Sequence, residues 1–180
     1  MGETERKRDR ELVEQFRLGD RQAFAELYHL HYPAVFRHAL YITGDRVRAG
    51  EIVQDVFIWL VHHAKEFDES RGDLGPFLSG VARKFILRSR RSESRWVPFD
   101  EAAAPVRDAI DDSSFAEGLE RDEEAEQLRK AIAALPERYR EAVVHCDLEG
   151  RSYEEAASAM ECAVGPVRSR LHRARELLAR

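Results

Sequence analysis

Ser152-Tyr153-Glu154-Glu155-Ala156-Ala157-Ser158-Ala159-Met160-Glu161-Cys162-Ala163-Val164-Gly165-Pro166-Val167-Arg168-Ser169-Arg170-Leu171-His172-Arg173-Ala174-Arg175 is written as two short helices around a tight turn. Ser152 and Glu155 have capping-box spacing, so the Ser hydroxyl serves the Glu155 amide and the Glu155 carboxylate returns to the Ser152 amide. That helix is expected to run to about Met160. Glu161-Cys162-Ala163 makes the connection, and Pro166 suits the first turn of the next helix, where a missing N–H costs nothing. At 100° per residue, Val167, Leu171, Ala174 and Leu178 form one apolar stripe. Ser169, His172 and Arg173 point away from it, flanked by Arg168, Arg170 and Arg175. Small Ala156 and Ala157 allow a close crossing, and the whole reads as a helix-turn-helix with a basic second helix. A helical hairpin with a merely solvated basic face would need neither the turn nor the box.

Outward from that unit, the 180 residues allow one ordinary domain or two small ones. A net charge of -5 looks wrong for a nucleic-acid binder until it is mapped along the chain. Arg83, Lys84, Arg88, Arg90, Arg91 and Arg95 are met by only Glu93, and the C-terminal helix is also basic. Between them, Asp100, Glu101, Asp108, Asp111, Asp112, Glu117, Glu120, Asp122, Glu123, Glu124 and Glu126 face just Arg107 and Arg121. Two DNA-facing surfaces joined by an acidic connector fit this segregation. No stretch has the length and apolarity of a membrane span, and the charged start lacks the core of a signal peptide, so a cytoplasmic location is expected. Cys146 and Cys162 do not make a disulfide framework or a four-ligand zinc site. Without an HExxH motif or companion ligands, His29, His31, His38, His62 and His63 read as scattered residues, and neither metal nor cofactor is expected.

The chain reads as all-α, because apolar residues recur at three and four with Gly and Pro at boundaries. A first helix is expected over Asp9 to Leu18. Asp20 caps a second, which passes Pro33 with a kink, and Gly44-Asp45 ends it and starts a third over Arg46 to Glu66. On that third helix Ala49, Val53, Val56, Phe57, Leu60 and Ala64 make a core stripe. Opposite lie Glu51, Asp55, Ile58 and His62, with Arg48 and Gln54 at the margins and Trp59 at the core edge. A mixed acidic and apolar surface of this kind is a candidate docking face for another protein. Phe67 to Gly75 reads as loop. Pro76 opens a fourth helix to about Arg91, with Phe77, Leu78, Val81, Phe85 and Ile86 for packing. Basic residues beside that loop suit a strand held by its phosphates. Residues 96–118 lack a period and read as an acidic, flexible linker. Helix returns near Leu119 through Leu128, Ile132 and Leu135, breaks at Pro136, and resumes through Tyr139, Val143 and Val144 to Gly150. The expected domains are 9–95 and 119–180.

Leu135-Pro136-Glu137-Arg138-Tyr139-Arg140-Glu141, Glu149-Gly150-Arg151-Ser152-Tyr153-Glu154-Glu155-Ala156-Ala157 and the run Val164 to Arg175 resemble the C-terminal domain of extracytoplasmic-function sigma factors, the promoter-recognition subunits of RNA polymerase. Gln54-Asp55-Val56-Phe57 and Phe77-Leu78-Ser79-Gly80-Val81-Ala82-Arg83 are similar to the N-terminal sigma domain. The resemblance implies two sigma domains and two partners, core polymerase and promoter DNA. Arg48, Glu51, Gln54, Asp55 and Ile58 would face the clamp coiled coil of the largest subunit, and the second domain would meet the flap of the beta subunit. Asp68, Ser70 and Arg71 of the loop, with Lys84, Arg88 and Arg91, would serve the minus-ten element, where a base leaves the stack at a cost of a few kcal/mol. Arg168, Ser169, His172 and Arg173 would enter the major groove at the minus-thirty-five element, while Arg170 and Arg175 would touch phosphates. No residue needs to perform bond chemistry, so the chain is not expected to be an enzyme.

The departures carry information too. Relatives usually place an Asp-Ala-Glu-Asp-like cluster before the Gln, where this chain has Arg48-Ala49-Gly50-Glu51. Chains with this deficit resemble a kinase-regulated group in which a phosphothreonine supplies the missing charge. Glu51 then occupies the switch position, as a natural acid or as an engineered stand-in for phosphothreonine. Phe77 stands for the usual Trp, Lys84 for the usual Asn and Pro166 for the usual Thr. With the chain ending directly after the recognition helix, control is expected from a partner such as a Ser/Thr kinase or an anti-sigma factor, or from expression level. A stand-alone helix-turn-helix regulator would need a dimerisation surface, and no heptad or symmetric element is visible.

Overall fold

A computed structural model describes residues 3–70, 72–95 and 123–179. All of its regular structure among these residues is helical. The expected linker, residues 96–118, lies outside them, as does Arg71. Helix α1 spans Glu3–Arg17, α2 Arg21–Thr43, α3 Arg46–His63 and α4 Leu74–Arg95, with a 3-10 turn at Ala64–Glu66. The second group is α5 (Glu123–Ala134), α6 (Glu137–Val143), a π turn (Val144–Leu148), α7 (Tyr153–Ala159) and α8 (Val164–Leu178).

The boundaries follow from short-range chemistry. Asp20 Oδ1 accepts from the amides of Gln22 and Ala23, and Asp45 Oδ1 from those of Val47 and Arg48, so two orphan N–H groups at each start are satisfied. Gly44 closes α2 at φ 71°, a left-handed conformation that glycine adopts without strain. Three expectations shift. Helix α1 begins six residues before Asp9, and α2 is one continuous helix through Pro33. Helix α4 likewise starts two residues before Pro76.

Helices α1, α3 and α4 pack around α2, whose Leu27, Val35 and Ile42 are buried. The predicted stripe of α3 is buried throughout, and Ile52 joins it. Asp9 and His31, 2.9 Å apart and buried, pin α1 to α2. In the second group α8 is covered by α6 and α7 through Val167, Leu171 and Ala174. Leu128, read as part of the apolar pattern of α5, is 46 % exposed.

The two groups are packed on one another, chiefly through the C-terminal half of α2. Arg140 of α6 donates to the Ile42 carbonyl at 2.7 Å and to the Leu135 carbonyl at 3.0 Å. It thereby places a cation at the negative end of the α2 dipole. Arg83 of α4 donates to Glu141 Oε1 at 3.1 Å, both side chains being largely buried. His38 Nδ1 of α2 lies 2.6 Å from Glu149 Oε1. The expectation that the histidines are scattered therefore fails at His38, which meets His145 with ring centroids 5.2 Å apart. Burial pushes the His145 imidazole down in pKa, against the Glu149 hydrogen bond that raises it. Burial would raise the Glu149 carboxyl, but hydrogen bonds from His145 and His38, with the charge of Arg151, hold it well below the usual carboxylate range.

Candidate nucleic-acid interface

Three surfaces gather the residues singled out in the sequence. The first is α8, delivered by the turn after α7. The capping box forms as expected: the Ser152 amide donates to Glu155 Oε2 at 2.8 Å, and the Glu155 amide to Ser152 Oγ at 3.2 Å. With Val167, Leu171 and Ala174 of the apolar stripe buried and Leu178 half-buried, Arg168, Ser169, His172, Arg173 and Arg175 all point to solvent. Arg170 is half-buried, its guanidinium 3.6 Å from Cys162 Sγ. The charges on this face are not idle. Arg173 pairs with Glu176 at 2.7 Å, His172 lies 3.5 Å from the same carboxylate, and Arg175 grips Asp147 with two donors at 3.1 and 2.6 Å. Arg168 stacks over the Tyr153 ring at 5.3 Å, a cation–π contact that holds the side chain across the turn. Arg173 and Arg175 are thus already engaged by internal carboxylates, whereas Arg168 is held by an aromatic ring.

The second surface is the outer face of α3. Glu51, Gln54, Asp55, Ile58 and His62 are exposed, and Val47 and Val61 extend the same stripe. Ile58 is 51 % exposed and Val61 46 %, so acidic and apolar groups alternate along one helix face. The sequence reading passed over Val47 and Val61, although their spacing to Ile58 along the helix was a usable signal. Arg48 is half-buried and shares a small cleft with Thr43, Glu51, Ile52, Ile86 and Ser89.

The third surface joins the loop after α3 to α4. Arg17 of α1 donates to the carbonyls of Ala64 and Phe67, fixing how the chain leaves α3. Asp68 Oδ1 accepts from both the amide and hydroxyl of Ser70 at 3.0 and 2.7 Å, a local turn in which each ties down the other. Arg10 pairs with Glu69, and Arg6 with Asp73, so α1 straps the loop from outside. Phe77 packs against Phe67 and Trp59 at 5.2 and 5.8 Å. Lys84 and Arg88, one turn apart, are exposed beyond it. Arg83, read as part of the same basic block, faces the other way into Glu141 and the Met160 carbonyl. Arg71 and the side chain of Arg91 lie outside the described residues.

Comparison with known proteins is consistent with this layout. The family model for sigma-70 region 2 matches residues 27–95, and that for sigma-70, region 4 matches 125–178. The ECF RNA polymerase sigma-E factor of Escherichia coli is 33% identical over 186 residues, covering 97% of this chain and 94% of that protein. The RNA polymerase sigma-H factor of Pseudomonas aeruginosa is 30% identical over 179 residues, covering 94% and 91%. The ECF RNA polymerase sigma factor SigE of Mycolicibacterium smegmatis is 28% identical over 155 residues, covering 85% of this chain but 59% of that longer protein. Among solved structures, the sigma factor RpoE in complex with the anti-sigma factor NepR from Bartonella quintana superposes with a TM-score of 0.65 at 24% identity, covering 86% of this chain and 93% of that one. At that identity the likeness speaks for the fold.

Proposed function

The chain belongs to the ECF RNA polymerase sigma factor family, and on that premise we propose that it joins core polymerase through the outer face of α3 and reads promoter DNA with α4 and α8. What carries this is the coexistence, on one chain, of an exposed base-reading row on α8 and an acidic–apolar docking stripe on α3. Arg168, Ser169, His172 and Arg173 offer donors to major-groove edges, with Arg175 and Arg170 serving phosphates. Glu51, Gln54, Asp55 and Ile58, flanked by Arg48, offer charge and an apolar centre to the clamp coiled coil, and the second module meets the beta-subunit flap. The loop of Asp68, Ser70 and Arg71, with Lys84, Arg88 and Arg91, serves the melted minus-ten strand. Residues 9–95 and 119–180 act as separate modules of one initiation factor, and polymerase performs the chemistry.

Glu51 is the regulatory position of this reading. It is exposed at the rim of the cleft it shares with Arg48, in a stretch poorer in acids than the family pattern. A phosphothreonine there would carry a charge of about -1.5 to -2, so a carboxylate holds part of the effect permanently. A Ser/Thr kinase or an anti-sigma factor supplies the remaining control.

The test mixes the protein with core polymerase and with promoter duplex, separately and together. Weak binding to duplex alone and promoter-specific initiation only with core are expected; tight dimeric binding to duplex without polymerase favours a stand-alone regulator. In the same assay Glu51→Thr is expected to bind core on the order of tenfold more weakly, as for a lost charge-assisted contact. Unchanged affinity of Glu51→Thr without kinase removes the switch from the proposal and leaves the rest standing.

A further inference from the structure

At the seam between the two modules sits a side-chain cluster that neither polymerase nor DNA contact explains. His38 comes from α2, His145 comes from the π turn and Glu149 is the residue that caps it, and one donor atom from each lies within 4.8 Å of the other two. His38 Nδ1 is 2.6 Å from Glu149 Oε1, and His145 Nδ1 is 3.1 Å from Glu149 Oε2. Both imidazoles are sealed from solvent, at 2% and 1% exposure. Each also keeps a buried Nε2 with no hydrogen-bond partner. The Nδ1 atoms are the ones that face the carboxylate, so they are the candidate ligands.

We propose that His38, His145 and Glu149 bind one transition-metal dication of the zinc class, which ties the two modules together. Two imidazoles and one carboxylate make the donor set of a three-ligand zinc site with a fourth position open. With zinc–ligand bonds of about 2.0–2.2 Å, tetrahedral ligand atoms stand about 3.3–3.6 Å apart. The His38 Nδ1–Glu149 Oε1 separation of 2.6 Å has to widen by about 0.7 Å to reach that range, and the three donor atoms already lie within 4.8 Å of one another. Arg151 Nε donates to Glu149 Oε2 at 2.8 Å. It leaves Oε1 as the ligand and orients the carboxylate, the usual work of an outer shell. A single carboxylate already offset by an arginine suits neither magnesium nor calcium, which need several oxygens, and the imidazoles select the softer ion. The π turn supplies the local geometry: the Glu149 amide donates to the Val144 carbonyl five residues back, and such turns recur at functional sites.

His38 belongs to one module and its two co-ligands to the other, so the complete site exists only while the modules are packed. Metal at about 100 times its Kd would then raise the packed-to-separated ratio about 100-fold. Any consequence for initiation rests on the proposed function, but the binding itself does not.

The full chain, stripped with chelator, is titrated with Zn²⁺ against a chromophoric competitor, and a dye pair reports the distance between modules. One equivalent is expected to bind and to deplete the separated population, and Co²⁺ is expected to give the visible bands of a four-coordinate site. His38→Gln should weaken Zn²⁺ binding about tenfold or more, while His29→Gln and His63→Gln should leave it unchanged. Wild-type affinity in His38→Gln, loss of binding in either control, or Zn²⁺ uptake without a change in module distance overturns the proposal. Should His38→Gln fail to fold, the wild-type Co²⁺ spectrum serves instead, and absence of its bands is equally fatal. None of these readouts contains polymerase or DNA, so failure here leaves the transcription reading untouched.

Discussion

Among the residues proposed to read bases, Arg173 has the partner that makes the clearest forecast. It points to solvent on α8 and spends its guanidinium on Glu176, 2.7 Å away, within the same helix. An exposed pair of this kind contributes little and yields readily to a better acceptor. Under the proposed function the better acceptor is a guanine edge at the minus-thirty-five element, and Arg173→Ala is expected to cost about 1–3 kcal/mol of discrimination there. Holoenzyme binding to matched and single-substituted promoters measures it. Equal loss on every sequence would reduce Arg173 to a phosphate contact. That the residue faces outward was legible from the helical period alone. Its pairing with Glu176 followed from i,i+3 spacing, whereas the grip of Arg175 on Asp147, 28 positions away, did not.

Helix α7 is held to its start by two reciprocal hydrogen bonds, and both partners were readable because a capping box spans only four residues. Ser152→Ala is expected to destabilise the helix-turn-helix by about 1 kcal/mol, read as a lowered melting temperature. The box is also pH-sensitive. Hydrogen bonds from the Ser152 backbone and side chain hold the Glu155 carboxyl below its usual range. A depressed carboxylate contributes stability that is present above its unfolded pKa of about 4.3 and is lost as pH falls through the folded one. The opening free energy of α7, from amide exchange corrected for the intrinsic pH dependence, is therefore expected to stay flat from pH 7 to about 5 and to fall below about 4.5. Glu155→Gln, which preserves the box without a titrating group, should abolish that acid response. The π turn at Val144–Leu148 left no comparable trace, since its apolar pattern continues that of α6 without Gly or Pro. The turn packs against α2, α6 and α7.

Across the whole molecule, the packed modules pose a problem of reach. A compact chain of 180 residues is about 40 Å across, whereas elements named for positions ten and thirty-five stand about 85 Å apart along B-form DNA. If α4 and α8 are to read both elements, the seam must part, and the 27 residues between Arg95 and Glu123 can extend to about 90 Å. The Arg83–Glu141 pair is the charged contact that opposes this, with Glu141 5% exposed. Arg83→Met would strand a buried carboxylate, at a cost of up to about 3–5 kcal/mol to the packed state. Solution scattering is expected to show a larger radius of gyration with helix content unchanged; a compact variant would mean that the other contacts across the seam, Arg140 with Ile42 and His38 with Glu149 among them, suffice to hold it. The capped starts of α2, α3 and α7, the helix-turn-helix, and the outward set of Glu51, Asp55, Ile58, Arg168, His172 and Arg173 were all written in the chain, because caps and a 3.6-residue period act over a few positions. Which basic residue of α4 faces outward and which turns inward, and the meeting of His38 with His145 and Glu149, were not. Those contacts join groups 58 and 111 positions apart, and such partners are chosen by how helices stack, which no local periodicity encodes.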